Sequence, residues 1–367
     1  MSSLFYASFV PGLQEFFADV IKERLPDVKI HKLLDGAVVF ETETTYDKLN
    51  FFCFNNIFAV INILEGAYGK LRGVDLIEEH IKLFINKNND FNNDVISNNS
   101  KNFNSFRIVI SNENIPAAIN EKLRLEAEKF ISRLSGLKVN RSLPDTEFWF
   151  LYRNVTNDTE IKNNVNTPHQ LDNNLLANFS IFMKRLTLRS SWEKTLHKGE
   201  LPPPLAWTLC RLAQLKHSDK VLDPFCGYGS IPEEAFKHFH ITNFTACDDN
   251  AEAAKYTQAR FKKRKLGEFI FYQTDFLKLP SLVNANSFDA IITDPPWGQF
   301  KENTNDSFLE KMFKTFDKLL KNGGRAAVLY ANNENFLKAI PKNFELKNKI
   351  PILLSGKKAI IYVLKKN

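Results

Sequence analysis

The chain has four cysteines in 367 residues, Cys53, Cys210, Cys226 and Cys247, and none stands in a C-x-x-C pair or beside a histidine at zinc-ligand spacing. Neither a disulfide framework nor a metal site is indicated, and a reducing cytoplasmic setting is expected. Long apolar runs are missing too: no window reaches the roughly 18 uncharged apolar residues of a membrane span. The opening Met1-Ser-Ser-Leu-Phe-Tyr-Ala-Ser-Phe-Val10 has neither the basic start nor the long apolar centre of a secretion signal, so no secretion and no membrane insertion are expected. Two phosphate-cradling motifs are absent as well. There is no G-x-x-x-x-G-K-[ST], and the G-x-G at Gly227–Gly229 lacks the third glycine of a dinucleotide fingerprint, which argues against a P-loop NTPase and a dinucleotide oxidoreductase.

What the chain does have is apolar mass. Hydrophobic residues make up 44% and 33 residues are phenylalanine, against 25% charged. At 367 residues the chain exceeds the length at which one core keeps growing, so two or three compact units are expected. The formal charge is +7 and uneven: residues 181–220 hold eight Lys/Arg against three Asp/Glu, and 255–265 hold six against none. Such an excess favours a polyanionic partner, with Lys184, Arg185, Arg189, Lys194 and Lys198 as candidate phosphate contacts; a solvated linker or helix face has the same composition.

The first hundred residues alternate strand-like and helix-like patterns. Phe5–Val10 reads as a strand and Leu13–Arg24 as a one-faced helix; Val28–Leu34 and Ala37–Phe40 flank the hairpin signal Asp35-Gly36, and Tyr46–Phe54 reads as a second helix. That order predicts a small α+β unit. An Asn-rich stretch, 86–104, reads as a loop, followed by a strand at Phe106–Ser111, a helix over Pro116–Leu134 and a strand at Glu147–Arg153. The series Phe106-Arg-Ile-Val-Ile110, a long helix, Gly136-Leu-Lys-Val139, Pro144-Asp145 and Phe148-Trp-Phe-Leu-Tyr152 is similar to the end of a THUMP domain, an RNA-binding module of RNA-modifying enzymes.

Beyond a second Asn-rich stretch, strands and helices alternate as in a parallel α/β sheet. Lys220–Leu222 is a short strand running into Asp223-Pro-Phe-Cys-Gly-Tyr-Gly-Ser230 and then a helix, the arrangement in which glycines let backbone approach a ligand. A second strand, Phe244–Cys247, ends at Asp248, 19 residues beyond Gly229 and near the spacing at which an acid meets ribose hydroxyls; Asp249 stands next to it, so the assignment can slip by one. A third strand leads to Asp275-Phe276, where an acid can accept from an adenine amine, and a fourth, Phe288–Thr293, delivers Asp294-Pro-Pro-Trp297. Ligands of open α/β sheets sit at this carboxyl edge of the strands.

Residues 198–367 resemble the S-adenosylmethionine (SAM)-dependent N-methyltransferases of the THUMP-containing guanine-N2 group. Their signature Asp-Pro-Phe-Cys-Gly-x-Gly-[Ser/Thr]-Ile-Pro-x-Glu-Ala is met by Asp223 through Gly229, Ser230, Ile231, Pro232, Glu234 and Ala235. The resemblance implies Gly227 and Gly229 along the methionine moiety, Asp248 at ribose, Asp275 with Phe276 at adenine, and Pro203 with Pro204 lining the cofactor. Asp223, Pro224 and Ser230 complete that set. Tyr228 departs from the family, which has a small residue there, and narrows the pocket.

The Asp294-Pro-Pro-Trp297 turn suits methyl transfer to a planar amine, whose lone pair is delocalised. Acceptors aimed at its N–H bonds stabilise the positive charge that develops on nitrogen, a role open to Asp294 and the Pro295 carbonyl. Pro295 and Pro296 stiffen the turn, and Trp297 offers a stacking face. Guanine presents adjacent N1–H and N2–H donors that an acceptor-only carboxylate can bridge, which favours it over adenine; adenine in DNA, a protein glutamine, and an inert RNA-binding scaffold stay open at this point.

The expectation is thus an α/β protein: a ferredoxin-like α+β domain at 1–62, a THUMP-like RNA-binding domain at 63–155, a linker at 156–197, and a Rossmann-like methyltransferase domain at 198–367 with a seven-stranded sheet whose last strand is antiparallel. A monomer acting on RNA, tRNA first and ribosomal RNA second, is expected.

Overall fold

The computed structural model describes residues 2–45, 49, 53–65, 71–87, 91–97, 103–154, 178–186, 196–262, 267–297, 306–331 and 334–367. The chain divides into two compact units, 1–9 with 14–190 and 10–13 with 191–367.

The first unit is built on a nine-stranded sheet. Its strands are β1 (Ser3–Ser8), β2 (Lys29–Leu34), β3 (Ala37–Thr42), β4 (Asn56–Glu65), β5 (Ser105–Asn112), β6 (Ile115–Pro116), β7 (Lys138–Val139), β8 (Thr146–Arg153) and β9 (Phe179–Arg185), in the order β2-β3-β1-β4-β9-β8-β5-β6 with β7 beside β5. The β2–β3 hairpin turns at Asp35-Gly36, where Gly36 takes a φ of 77°. Helix α1 (Gln14–Arg24) buries Phe17, Ala18, Val20 and Ile21, the face its periodicity marks out. Helices α2 (Gly73–Asn86), α3 (Asn93–Ser97) and α4 (Glu121–Ser135) follow. The last is capped by Asn120, whose side-chain oxygen accepts from the Lys122 and Leu123 amides, and is closed by Gly136 in the left-handed conformation. Much of the phenylalanine is used here: Phe150 stacks on Phe182 at 4.1 Å, with Phe84, Phe91 and Phe148 around the pair.

Three sequence expectations change in this unit. Strand β9 falls in the range read as linker, yet it is wholly buried and pairs with both β4 and β8, so one sheet runs across 1–185. The expected boundary at 62/63 falls inside β4. Lys184 and Arg185 are not phosphate contacts: Lys184 Nζ donates to the Ile96 carbonyl at 3.3 Å, and Arg185 donates to Glu147 at 2.8 Å, both buried. Burial pulls the Lys184 ammonium down to about 8. Arg189 and Lys194, and most of the Tyr46–Phe54 helix expected from the sequence, lie outside the described residues.

The second unit carries a seven-stranded sheet in the order β12-β11-β10-β13-β14-β16-β15, with β10 (Lys220–Asp223), β11 (Asn243–Asp248), β12 (Glu268–Gln273), β13 (Phe288–Thr293), β14 (Leu320–Ala331), β15 (Phe344–Leu354) and β16 (Lys357–Lys366). The first five are parallel, and β16 runs antiparallel to both neighbours. The sheet expected from the sequence is the one observed. Its helices include α5 (Pro203–Leu212), α6 (Ser230–Phe239), α7 (Ala251–Lys262), α8 (Asp306–Leu319) and α9 (Glu334–Ala339). Asn322-Gly-Gly324, which reads as a turn, is absorbed into β14 at a register irregularity between Leu320 and Arg325.

Candidate active site

Strand β10 lies between β11 and β13, where the strand order reverses, and this switch point is where an open α/β sheet leaves a crevice. Asp223 ends β10, Asp248 ends β11, Asp294 follows β13, and Asp275 stands two residues beyond β12. All four acids thus lie along one sheet edge.

The loop from β10 to α6 is clamped from the side. The Cys226 amide donates to the Cys247 carbonyl at 2.9 Å, the Gly227 amide to Asp248 Oδ2 at 2.7 Å, and the Thr257 hydroxyl to the Gly227 carbonyl at 2.9 Å. Gly229 has a φ of 86°, and a Cβ there would lie 3.0 Å from the side chains of both Phe261 and Thr257. A Cβ on Gly227, by contrast, would meet nothing within 4 Å.

Two adjoining clefts open at this edge. The first, of about 290 Å³, is lined by five carboxylates, Glu200, Asp223, Asp248, Asp249 and Asp294, together with Gly227, Ser230 and Pro296; no described residue lining it is basic. Asp223 is fully buried, with Oδ1 accepting from the Thr293 hydroxyl at 2.8 Å and the Phe225 amide at 3.1 Å, while Oδ2 has no hydrogen-bond partner among the described residues. Burial, with help from the neighbouring Asp248 and Asp294 charges, pushes its carboxyl up to about 8. Asp294 Oδ1 accepts from the Trp297 indole N–H at 2.8 Å. Burial pushes the Asp294 carboxyl up to about 7, and the indole bond pulls the other way.

The second cleft, of about 280 Å³, shares Phe225, Asp248, Asp249 and Pro296 with the first and adds Pro224, Asp275, Phe276 and Phe308. Phe225, Phe276 and Phe308 form a ring cluster with centroids 4.7 to 5.8 Å apart. Asp275 is exposed and uses Oδ1 to accept the Leu277 amide at 2.9 Å.

Most residues singled out in the sequence meet here, with exceptions. Pro203 and Pro204 line neither cleft: Pro203 starts α5, where its missing N–H costs nothing, and Pro204 is buried in that helix. The segment just before them, Gly199-Glu200-Leu201, forms the wall instead. Pro295 is buried and, like Trp297, lines neither cleft. Sequence reasoning passed over Glu200, which accepts from the His197 amide at 3.0 Å, and from the Ser230 hydroxyl and Arg260 at 3.1 Å each. It also passed over Phe225 and Phe308. Tyr228, noted as a departure, stacks on His197 at 4.0 Å.

Residues 190–352 match the family model described as UPF0020, the RMKL-like methyltransferase domain. This segment is a UPF0020 methyltransferase domain. Among curated proteins, the chain is 27% identical over 287 residues to the tRNA (guanine(10)-N2)-dimethyltransferase of Methanocaldococcus jannaschii, covering 75% of this chain and 73% of that protein. It is also 27% identical over 133 residues to the bovine (Bos taurus) U6 snRNA (guanine-N(2))-methyltransferase THUMPD2, covering 36% of this chain and 26% of that protein. Among solved structures, TrmN from Thermus thermophilus superposes over 100% of both chains with a TM-score of 0.74 at 19% identity, which extends the likeness in fold to the whole chain.

The methyltransferase domain fits SAM chemically. A cleft with five carboxylates, no lining cation and an unpartnered buried oxygen on Asp223 suits a ligand carrying a sulfonium and an ammonium. The adjoining cleft has the flat apolar walls that an adenine ring needs, with Asp275 as the acid that this cleft adds at its edge.

Proposed function

We propose that the protein transfers a methyl group from SAM to the exocyclic N2 amine of a guanosine in tRNA. The observation that carries this reading is the placement of Asp294-Pro-Pro-Trp297 at the end of β13, with Asp294 and Pro296 in the wall of the acidic cleft. The names of the guanine-N2 methyltransferases that the chain is similar to support the choice of base and of RNA.

Each group follows from its position. Gly227 leaves open room for the methionyl chain, Asp248 with Asp249 holds the ribose, and Asp275 receives the adenine amine beside Phe225, Phe276 and Phe308. When bound, SAM supplies an electrophilic methyl on a sulfonium. Asp223 and Asp294 lie where that cation stabilises their ionised forms, offsetting the burial that favours the neutral acids. Asp294, ionised, accepts from the guanine N–H edge, and with the Pro295 carbonyl stabilises the charge that grows on N2. After transfer N2 carries a surplus proton, and Asp294, with a carboxyl near 7, is matched to take it. The first unit holds the folded part of the tRNA, so that one guanosine, flipped or unpaired, reaches the cleft.

No helix among the described residues is long and apolar enough to cross a membrane. The four free, buried cysteines support the cytoplasm as the site of action.

The test is to incubate the protein with methyl-labelled SAM and, separately, total tRNA, ribosomal RNA, DNA and protein extract, then to digest the labelled pools. Label in N2-methylguanosine from tRNA is expected. Label in N6-methyladenine from DNA, or in protein, overturns the reading. Asp294→Ala is expected to abolish transfer while SAM still binds.

A further inference from the structure

Trp297 sits where a stacking face for the target base is expected, but its surroundings give it another task. Its ring packs against the core cluster of the second unit, formed in part by β13, β14 and α8, and it lines neither cleft. Its polar end points the other way: the indole N–H donates to Asp294 Oδ1 at 2.8 Å. Among the described residues this is the side-chain donor that Asp294 has.

Resting on the function proposed above, we propose that Trp297 is a positioning residue: its N–H fixes one oxygen of Asp294 and so presents the other to the acceptor amine. Three observations support this. The aspartate is two bonds from its backbone and, without a partner, would rotate about χ2 with little resistance. The turn is short and stiffened by Pro295 and Pro296, which keeps residues 294 and 297 in register. Among the described residues, the charged groups that line the cleft with Asp294 are all acids, Asp223 from β10, Asp248 and Asp249 from the end of β11, and Glu200 from the segment before α5. Among the described residues lining the cleft no cation holds Asp294 ionised, so a neutral donor with a fixed direction has unusual leverage. A stacking role uses the indole face; a positioning role uses the N–H. The two predict different losses when the N–H alone is removed.

Trp297→Phe removes the N–H and keeps an aromatic ring; 3-benzothienylalanine at position 297 removes it while keeping the full indole shape. The reporter is the Asp294 carboxyl in ¹³C-aspartate-labelled protein, assigned by its disappearance in Asp294→Asn and titrated with pH. Both replacements are expected to raise the Asp294 midpoint by about one pH unit, the size of one hydrogen bond to a charged group. In methylation of tRNA, kcat at pH 7 is then expected to fall about fivefold, as the ionised fraction of Asp294 drops from about one half to about one eleventh, and to recover toward pH 9, with KM for tRNA and affinity for SAM within about twofold of the parent. An unchanged midpoint in the benzothienyl protein overturns the proposal, and so does a loss confined to KM for tRNA, which is the signature of stacking. The titration needs no methyl acceptor. A shifted midpoint with no label in guanine therefore sinks the functional reading and leaves the tie between Trp297 and Asp294 standing.

Discussion

The Gly227 amide donates to Asp248 Oδ2 at 2.7 Å, and the other oxygen of the same carboxylate accepts the Asn250 amide at 2.9 Å. One side chain therefore ties the loop after β10 to the start of α7 while also forming part of both clefts. Asp248→Ala is expected to weaken SAM binding by at least about 100-fold, because it removes a ligand and releases the loop that holds the others; Asp248→Asn, which keeps one acceptor, is expected to cost about tenfold. Titration calorimetry with SAM measures both, and equal losses would show that the loop tie contributes nothing.

The two glycines of that loop separate packing from access. Gly229→Ala forces a Cβ to within 3.0 Å of Phe261 and Thr257 in a left-handed backbone, so a loss of about 2–3 kcal/mol in stability is expected. Gly227→Ala faces open space at a φ of 52°, which limits the cost to about 1 kcal/mol, but its methyl enters the first cleft. The expected pattern is a clear drop in Tm for Gly229→Ala, and loss of SAM binding with a near-parental Tm for Gly227→Ala. Denaturation curves and calorimetry on the same preparations decide it.

Asp223 and Asp294 set a pH dependence of stability. Both carboxyls sit higher in the folded protein, about 8 and about 7, than the ordinary 3.8 of an unfolded aspartate. The folded state binds more protons than the unfolded one between those values, so the stabilisation is complete below about pH 4 and is lost as pH rises through 7 to 8. Without cofactor, Tm is expected to fall between pH 6 and pH 9. Asp223→Asn, which cannot ionise, is expected to flatten that slope, and SAM to counter it. A wild-type Tm that climbs over this interval would contradict the assignment.

Glu147 in the first unit accepts from Arg185, with both groups buried, and burial opposes the charge that Arg185 and then Arg107 stabilise. Glu147→Ala leaves the Arg185 guanidinium buried without its carboxylate, at an expected cost of about 3–5 kcal/mol. The double replacement Glu147→Leu with Arg185→Met is expected to recover most of it. Urea unfolding followed by tryptophan fluorescence, to which Trp149 beside Glu147 contributes, measures both losses.

The second unit was readable from sequence because its signals are local. Each of β10 to β13 is a short strand with an acid at or just beyond its end, and strand ends of such sheets converge whatever the rest of the chain does. Thus Asp223, Asp248, Asp275 and Asp294 were found one at a time and met in space. What escaped notice depended on contacts with no sequence period: Glu200 enters through Ser230 and Arg260, Phe308 comes from a helix 83 residues after Phe225, and Trp297 turned its face to the core and its N–H to the site. In the first unit, strand β9 carries Lys184 and Arg185, and two adjacent cations in an Asn-rich neighbourhood read as exposed chain. Their burial follows from Glu147 and the Ile96 carbonyl, partners 38 and 88 residues away.

The central position of β9 also decides where this chain can be divided. A fragment ending near residue 155 has the look of a complete RNA-binding module, since it includes every strand up to β8. It would nevertheless lack the strand between β4 and β8, leaving two long apolar sheet edges bare in the middle of the molecule, each a template for pairing with another chain. During synthesis the same gap persists until residue 185 has been made, so the front half of the protein must wait for its last strand before its halves become one body.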